Sequence, residues 1–131
     1  MALNIVILSI LSVLVTGVFS DDDYHLFNTF KDKIDVCINE IKVEKGLVKL
    51  LFQEGVFTED NNLKCFLQCL HVKLNFITVN GVANVEEMKK VILPLAKQKD
   101  KASEIIEKCA LINESDKCEM AFKFQKCLVT Y

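Results

Sequence analysis

The side chains able to do chemistry in this chain are six cysteines, two histidines and scattered carboxylates. Cys65 and Cys69 stand four apart in Leu63-Lys64-Cys65-Phe66-Leu67-Gln68-Cys69-Leu70, a run that reads as a helix. At that spacing both thiols leave one face on successive turns, so one helix can be joined to two neighbours. Cys37, Cys109, Cys118 and Cys127 are the available partners. An even count of cysteines behind an apolar leader implies an oxidising compartment and three disulfides, in pairings that spacing alone leaves open. No thiol is then left as a nucleophile. Enzymatic chemistry finds little else. Neither His25 nor His71 is followed by Asp, as a secreted phospholipase would need, and there is no Gly-rich nucleophile turn, zinc spacing or phosphate loop. Glu59-Asp60 and Glu86-Glu87 fall at helix starts, where capping explains them. The expectation is a protein that is not an enzyme and takes no cofactor or metal. His25 or His71 could release a ligand on protonation; a surface or satisfied histidine is the simpler reading of each.

The elements that position these groups are helical throughout. Residues 1–20 carry no charged side chain, run apolar from Ile5 to Val15 and close with Val18-Phe19-Ser20 before Asp21-Asp22-Asp23. This predicts a signal peptide over 1–20 and one domain over 21–131. A membrane anchor is the rival reading, weakened by Asn4, Ser9, Ser12, Thr16 and Gly17 within a short run. The net charge is −2, and all 16 basic residues are Lys, which argues against a nucleic-acid partner. Asn113-Glu114-Ser115 is an N-glycosylation sequon if the chain is secreted. Helical spacing predicts helices over about 22–41, 44–53, 61–76, 85–93, 101–112 and 117–128. Asp60, Asn84 and Asp116 are candidate N-caps, the last two with Glu three residues on, and Gly55 is a C-terminal stop. The last helix has two apolar faces: Cys118, Ala121 and Phe122 on one, Met120, Phe124 and Cys127 on the other. It should therefore lie between layers, with Cys118 and Cys127 turned to different partners.

The gaps between successive cysteines hold 27, 3, 39, 8 and 8 residues. With Asn62-Leu63-Lys64-Cys65-Phe66-Leu67-Gln68-Cys69 and Asp116-Lys117-Cys118-Glu119-Met120-Ala121-Phe122, this pattern resembles the insect odorant-binding proteins of the pheromone-binding/general-odorant-binding family. The resemblance covers the whole chain after the leader. It implies the pairing Cys37–Cys69, Cys65–Cys118 and Cys109–Cys127, which sends Cys65 and Cys69 to different helices. It also implies an all-α six-helix domain, stapled by three interlocked disulfides around a hydrophobic cavity, that carries small apolar molecules such as odorants or pheromones through extracellular fluid. The partners implied are a small hydrophobic ligand, a membrane odorant receptor and, weakly, a second copy of the chain; the expected location is sensillum lymph or glandular fluid. Long-tailed relatives fold a C-terminal helix into the cavity at low pH. Leu128-Val129-Thr130-Tyr131 are too few to do so, and that switch is not expected here.

The candidate lining comes from the third, fourth and sixth helices and the tail: Leu70, Leu74, Ile77, Met88, Val91, Ile92, Phe122, Phe124 and Val129. Each alone reads as ordinary core; as a set they coincide with the region where the resemblance implies a cavity. Met88 can adapt its shape to different guests. Tyr131, Thr130, Thr78 and Gln68 are candidate polar anchors, each also readable as an exposed side chain. Two other classes remain: a saposin-type membrane-active protein, which would pair Cys37 with Cys127, and a helical signalling protein without a small-molecule cavity.

Overall fold

The computed structural model describes the backbone of residues 21–130 and the side chains from Phe30 to Val129. The leader expected at residues 1–20 and the side chains of Asp21, Asp22, Asp23, His25, Leu26, Phe27, Thr130 and Tyr131 lie outside what is described. Six α-helices are described: α1 (Asp21–Ile41), α2 (Lys45–Glu54), α3 (Asn61–Lys73), α4 (Val85–Ile92), α5 (Lys99–Cys109) and α6 (Lys117–Thr130). A 3₁₀ turn over Leu93–Leu95 follows α4, with Pro94 at its start. The single bridge between Ile77 and Ala83 is the extent of β pairing among the described residues. None of the described helices is long and apolar enough to cross a membrane.

Local chemistry sets the helix ends. Asp60 Oδ1 accepts from the Leu63 amide at 2.9 Å and opens α3. Asn84 and Asp116 open α4 and α6 by accepting from the amides of Glu87 and Glu119 at 3.3 and 2.8 Å. Neither glutamate completes a capping box: the Glu119 carboxylate turns to Lys64, and that of Glu87 lies 3.9 Å from Lys90. Gly55 ends α2 at φ 66°, a left-handed conformation that glycine adopts without strain, and Val56 donates back to the Leu50 carbonyl. The sequence predicts α3 as far as Phe76, but it stops at Lys73. Asn75 turns left-handed at φ 63°, and the amides of Phe76 and Ile77 both donate to the His71 carbonyl. A small loop closed by Asn80-Gly81 then returns the chain, with Thr78 donating to the Val82 carbonyl and Asn84 to that of Phe76. α5 begins and ends earlier than its predicted 101–112, and Lys99 Nζ at its first residue bonds the Leu93 and Ala96 carbonyls at 3.0 and 3.4 Å.

α3 packs between α1 and α6, and α6 in turn touches α5, which joins α4. α6 is buried on both faces, Ala121 and Phe122 on one and Met120, Phe124 and Leu128 on the other. Three bridges cross-link this order: Cys37–Cys69 ties α1 to α3, Cys65–Cys118 ties α3 to the start of α6, and Cys109–Cys127 ties the end of α5 to the end of α6. These are the pairs that the family resemblance implies. Cys127 joins Cys109 and not Cys37, unlike the saposin type. Replacing the α3 cap is expected to cost a predictable amount: Asp60→Ala should lower stability by about 1 kcal/mol in urea denaturation.

Candidate functional site

The interior between α3 and α6 follows from their sequences. On α3, Leu63, Phe66, Leu67 and Leu70 recur at helical spacing and are all buried. His71 falls on the same stripe, four residues after Leu67 and three before Leu74. On α6, Gln125 sits three after Phe122 and three before Leu128. The two stripes face one another, and the two polar residues meet. His71 Nε2 lies 2.9 Å from Gln125 Oε1, with the residues 2 % and 5 % exposed. Among the described residues these are the polar side chains of the core. Phe76 and Phe124 flank the imidazole at ring separations of 6.0 and 5.9 Å, Phe124 edge-on. Burial pushes the His71 pKa down to about 4, and the hydrogen bond to Gln125 partly opposes it. The ring is neutral near neutral pH and supplies hydrogen bonds, not charge.

All nine candidate lining residues belong to one continuous core. Leu70, Ile77, Met88, Ile92, Phe122 and Phe124 are buried; Leu74, Val91 and Val129 are half-buried against them. They do not all converge. Phe122 and Phe124 are two apart on α6 and point to different sides of it. The Phe122 ring meets Phe57 edge-on at 5.6 Å, with Lys64 Nζ 5.1 Å above its centroid. Phe124 meets His71. Lys64 Nζ is also 2.7 Å from both Glu59 and Glu119, and the Glu119 and Glu59 hydrogen bonds raise its pKa above the ordinary lysine value. This cluster clasps α3 to α6 beside the Cys65–Cys118 bridge. Phe124 packs instead against His71, whose carbonyl accepts from the Ile77 amide.

The polar anchors proposed from sequence fare differently. Thr78 is exposed and its hydroxyl accepts from the Val82 amide, so it closes a surface turn. Gln68 is half-buried on α3. The sequence alone offers His71 as a pH-release group or, more simply, as a surface or satisfied histidine, and does not single out Gln125. The signal available was a polar residue at a position where the helical period demands an apolar one, twice, on the two helices nearest the cysteines. A separate open groove of about 590 Å³ runs along α2, lined by Glu44, Gly46, Leu47, Lys49, Leu50, Gln53 and Glu54. With three charged residues in its wall and none of the nine candidates, it is a poor seat for an apolar guest.

The PBP/GOBP family profile matches residues 21–131. The chain is similar to odorant-binding protein 10 of Aedes aegypti, 28 % identical over 123 residues that cover 93 % of this chain and 86 % of the relative. It is 38 % identical over 78 residues to general odorant-binding protein 57c of Drosophila melanogaster, covering 58 % of this chain and 50 % of that one. Among solved structures, the odorant-binding protein lmigOBP1 of Locusta migratoria superposes with a TM-score of 0.66 at 24 % identity, over 77 % of each chain. The fatty acid binding protein OBP56a from the oral disk of the blowfly Phormia regina gives a TM-score of 0.66 at 20 % identity, over 84 % of this chain and 91 % of that one. At those identities the two structures speak to the fold.

Proposed function

The chain belongs to the PBP/GOBP family, and from that premise we propose that it is a secreted carrier of small hydrophobic molecules. It takes up an odorant, pheromone or similar semiochemical among its helices and conveys it through aqueous extracellular fluid toward a membrane odorant receptor. The observation that carries this reading is the family match over residues 21–131 on a cross-linked, all-helical frame with an apolar interior. The name of the blowfly relative, a fatty acid binding protein, supports a long-chain apolar guest. Three disulfides support an oxidising, extracellular setting.

The physics of such a carrier is transfer. Moving an apolar guest from water into a dry interior gains on the order of 25 cal/mol per Å² buried. An unlinked small domain closes over any void, because the lining atoms lose contacts. Cross-links raise the cost of unfolding and so let a loosely filled interior persist. The candidates other than Phe122, which packs on the far side of α6 against Phe57, are the proposed lining, with His71 at its polar end.

Purified, oxidised protein should bind N-phenylnaphthylamine saturably at micromolar concentrations, with a rise and blue shift in fluorescence. A folded helical sample, verified by circular dichroism, that shows no saturable binding would overturn the carrier reading.

A further inference from the structure

Polar atoms in native cores are almost always hydrogen-bonded, and an orphan marks a functional group or a place held for something else. His71 Nδ1 is such an orphan: the residue is 2 % exposed, and the atom has no partner among the described residues. The rest of the ring has three neighbours in the core. Nε2 faces Gln125 Oε1 at 2.9 Å, and Phe76 and Phe124 pack around it. With the Gln125 amide oxygen toward the ring, Nε2 carries the ring proton, and in a neutral imidazole the second nitrogen is then a bare acceptor. Turning the amide round would instead leave a buried N–H at Nδ1 with no acceptor. With the Gln125 amide oriented as in the structure, what Nδ1 lacks is a donor.

Building on the carrier reading, we propose that His71 Nδ1 is the polar anchor of the carried molecule, and that the tautomer fixed by Gln125 selects guests bearing an O–H group. A long-chain alcohol or an undissociated carboxylic acid donates to Nδ1 while its chain lies along Leu70, Leu74, Ile77 and Phe124. An ester, ether or aldehyde of equal length has no proton to give, and its oxygen would face another acceptor. Guests of matched apolar area then differ by one buried hydrogen bond, made or refused.

The test displaces N-phenylnaphthylamine from the oxidised protein with dodecanol, dodecanoic acid, dodecyl methyl ether and methyl dodecanoate. Dodecanol should bind about tenfold tighter than its methyl ether, and the acid against its methyl ester separates the two sources of the O–H. His71→Phe and Gln125→Leu should each bring the alcohol-to-ether ratio close to one, while Lys97→Ala, at an exposed site, keeps it. Nitrogen-15 spectra of the wild-type ring supply a readout that needs no variant: an unprotonated Nδ1 that shifts with dodecanol and not with its ether. If all four compounds displace the probe equally, or Nδ1 carries the proton, the anchor is overturned and the carrier stands. If none displaces it, the carrier reading fails and the anchor with it.

Discussion

Cys65→Ser/Cys118→Ser should cost more stability than removal of either other bridge, about 4 kcal/mol against ~3 kcal/mol for Cys109→Ser/Cys127→Ser. The figures come from the chain-entropy treatment, in which a cross-link stabilises by restricting the unfolded chain and does so more for a longer loop. The sequence separations are 53 for Cys65–Cys118, 32 for Cys37–Cys69 and 18 for Cys109–Cys127. The native side points the same way. Cys65–Cys118 clamps α3 to the first turn of α6, the two helices that pack most extensively. Next to it in sequence on both helices, Lys64 bonds Glu119 and lies over Phe122. Bridge and ion pair form one clasp, so removing both should cost less than the two single losses added together. Urea denaturation of each pair of serine variants gives the comparison. Lys97→Ala, at an exposed site, is the surface reference. Equal midpoints for the Cys65/Cys118 variant and wild type would remove α3 from the centre of the fold.

The helices were legible because their signals are local. Apolar spacing, an aspartate or asparagine at the starts of α3, α4 and α6 and Gly55 at the end of α2 all act within a few residues, and Asp60, Asn84 and Asp116 do cap. What escaped the sequence depends on partners far along the chain. Apolar spacing predicts α3 through Phe76, yet it ends at Lys73: Asn75 turns left-handed, the amides of Phe76 and Ile77 return to the His71 carbonyl, and the Phe76 ring folds back against His71. Glu119 has the spacing of a capping-box glutamate, but Lys64, 55 residues away, outcompetes its own helix start. The candidate lining was read as one set, since periodicity marks which residues are inward and not which neighbour they meet; Phe122 and Phe124 are both inward and meet different groups. The His71–Gln125 pair spans 54 residues, and nothing near either residue announces the other. A local reading can flag a polar residue on an apolar stripe. It cannot say that two such residues answer each other.

That pair carries the second large effect, an acid-sensitive stability. Burial lowers the His71 pKa from 6.5 to about 4, and the Gln125 hydrogen bond offsets only part of this. Above about pH 6.5 the ring is neutral in both folded and unfolded chains and titration contributes nothing. As the pH falls below that value the unfolded chain takes up a proton that the folded chain refuses, so stability falls with pH. The loss is complete below about pH 4, where both forms are protonated, and by the size of the shift it is on the order of 3 kcal/mol. Urea midpoints at pH 7, 5 and 4 should show it as a steady decline. His71→Phe/Gln125→Leu removes both partners together and leaves no unpaired amide, so its stability at neutral pH should stay within about 1.5 kcal/mol of wild type. Its decline between pH 6.5 and 4 should be shallower by the His71 contribution. If wild type and the double variant lose stability in parallel over that interval, His71 is not the buried neutral imidazole the core requires, and the acceptor it offers a guest goes with it.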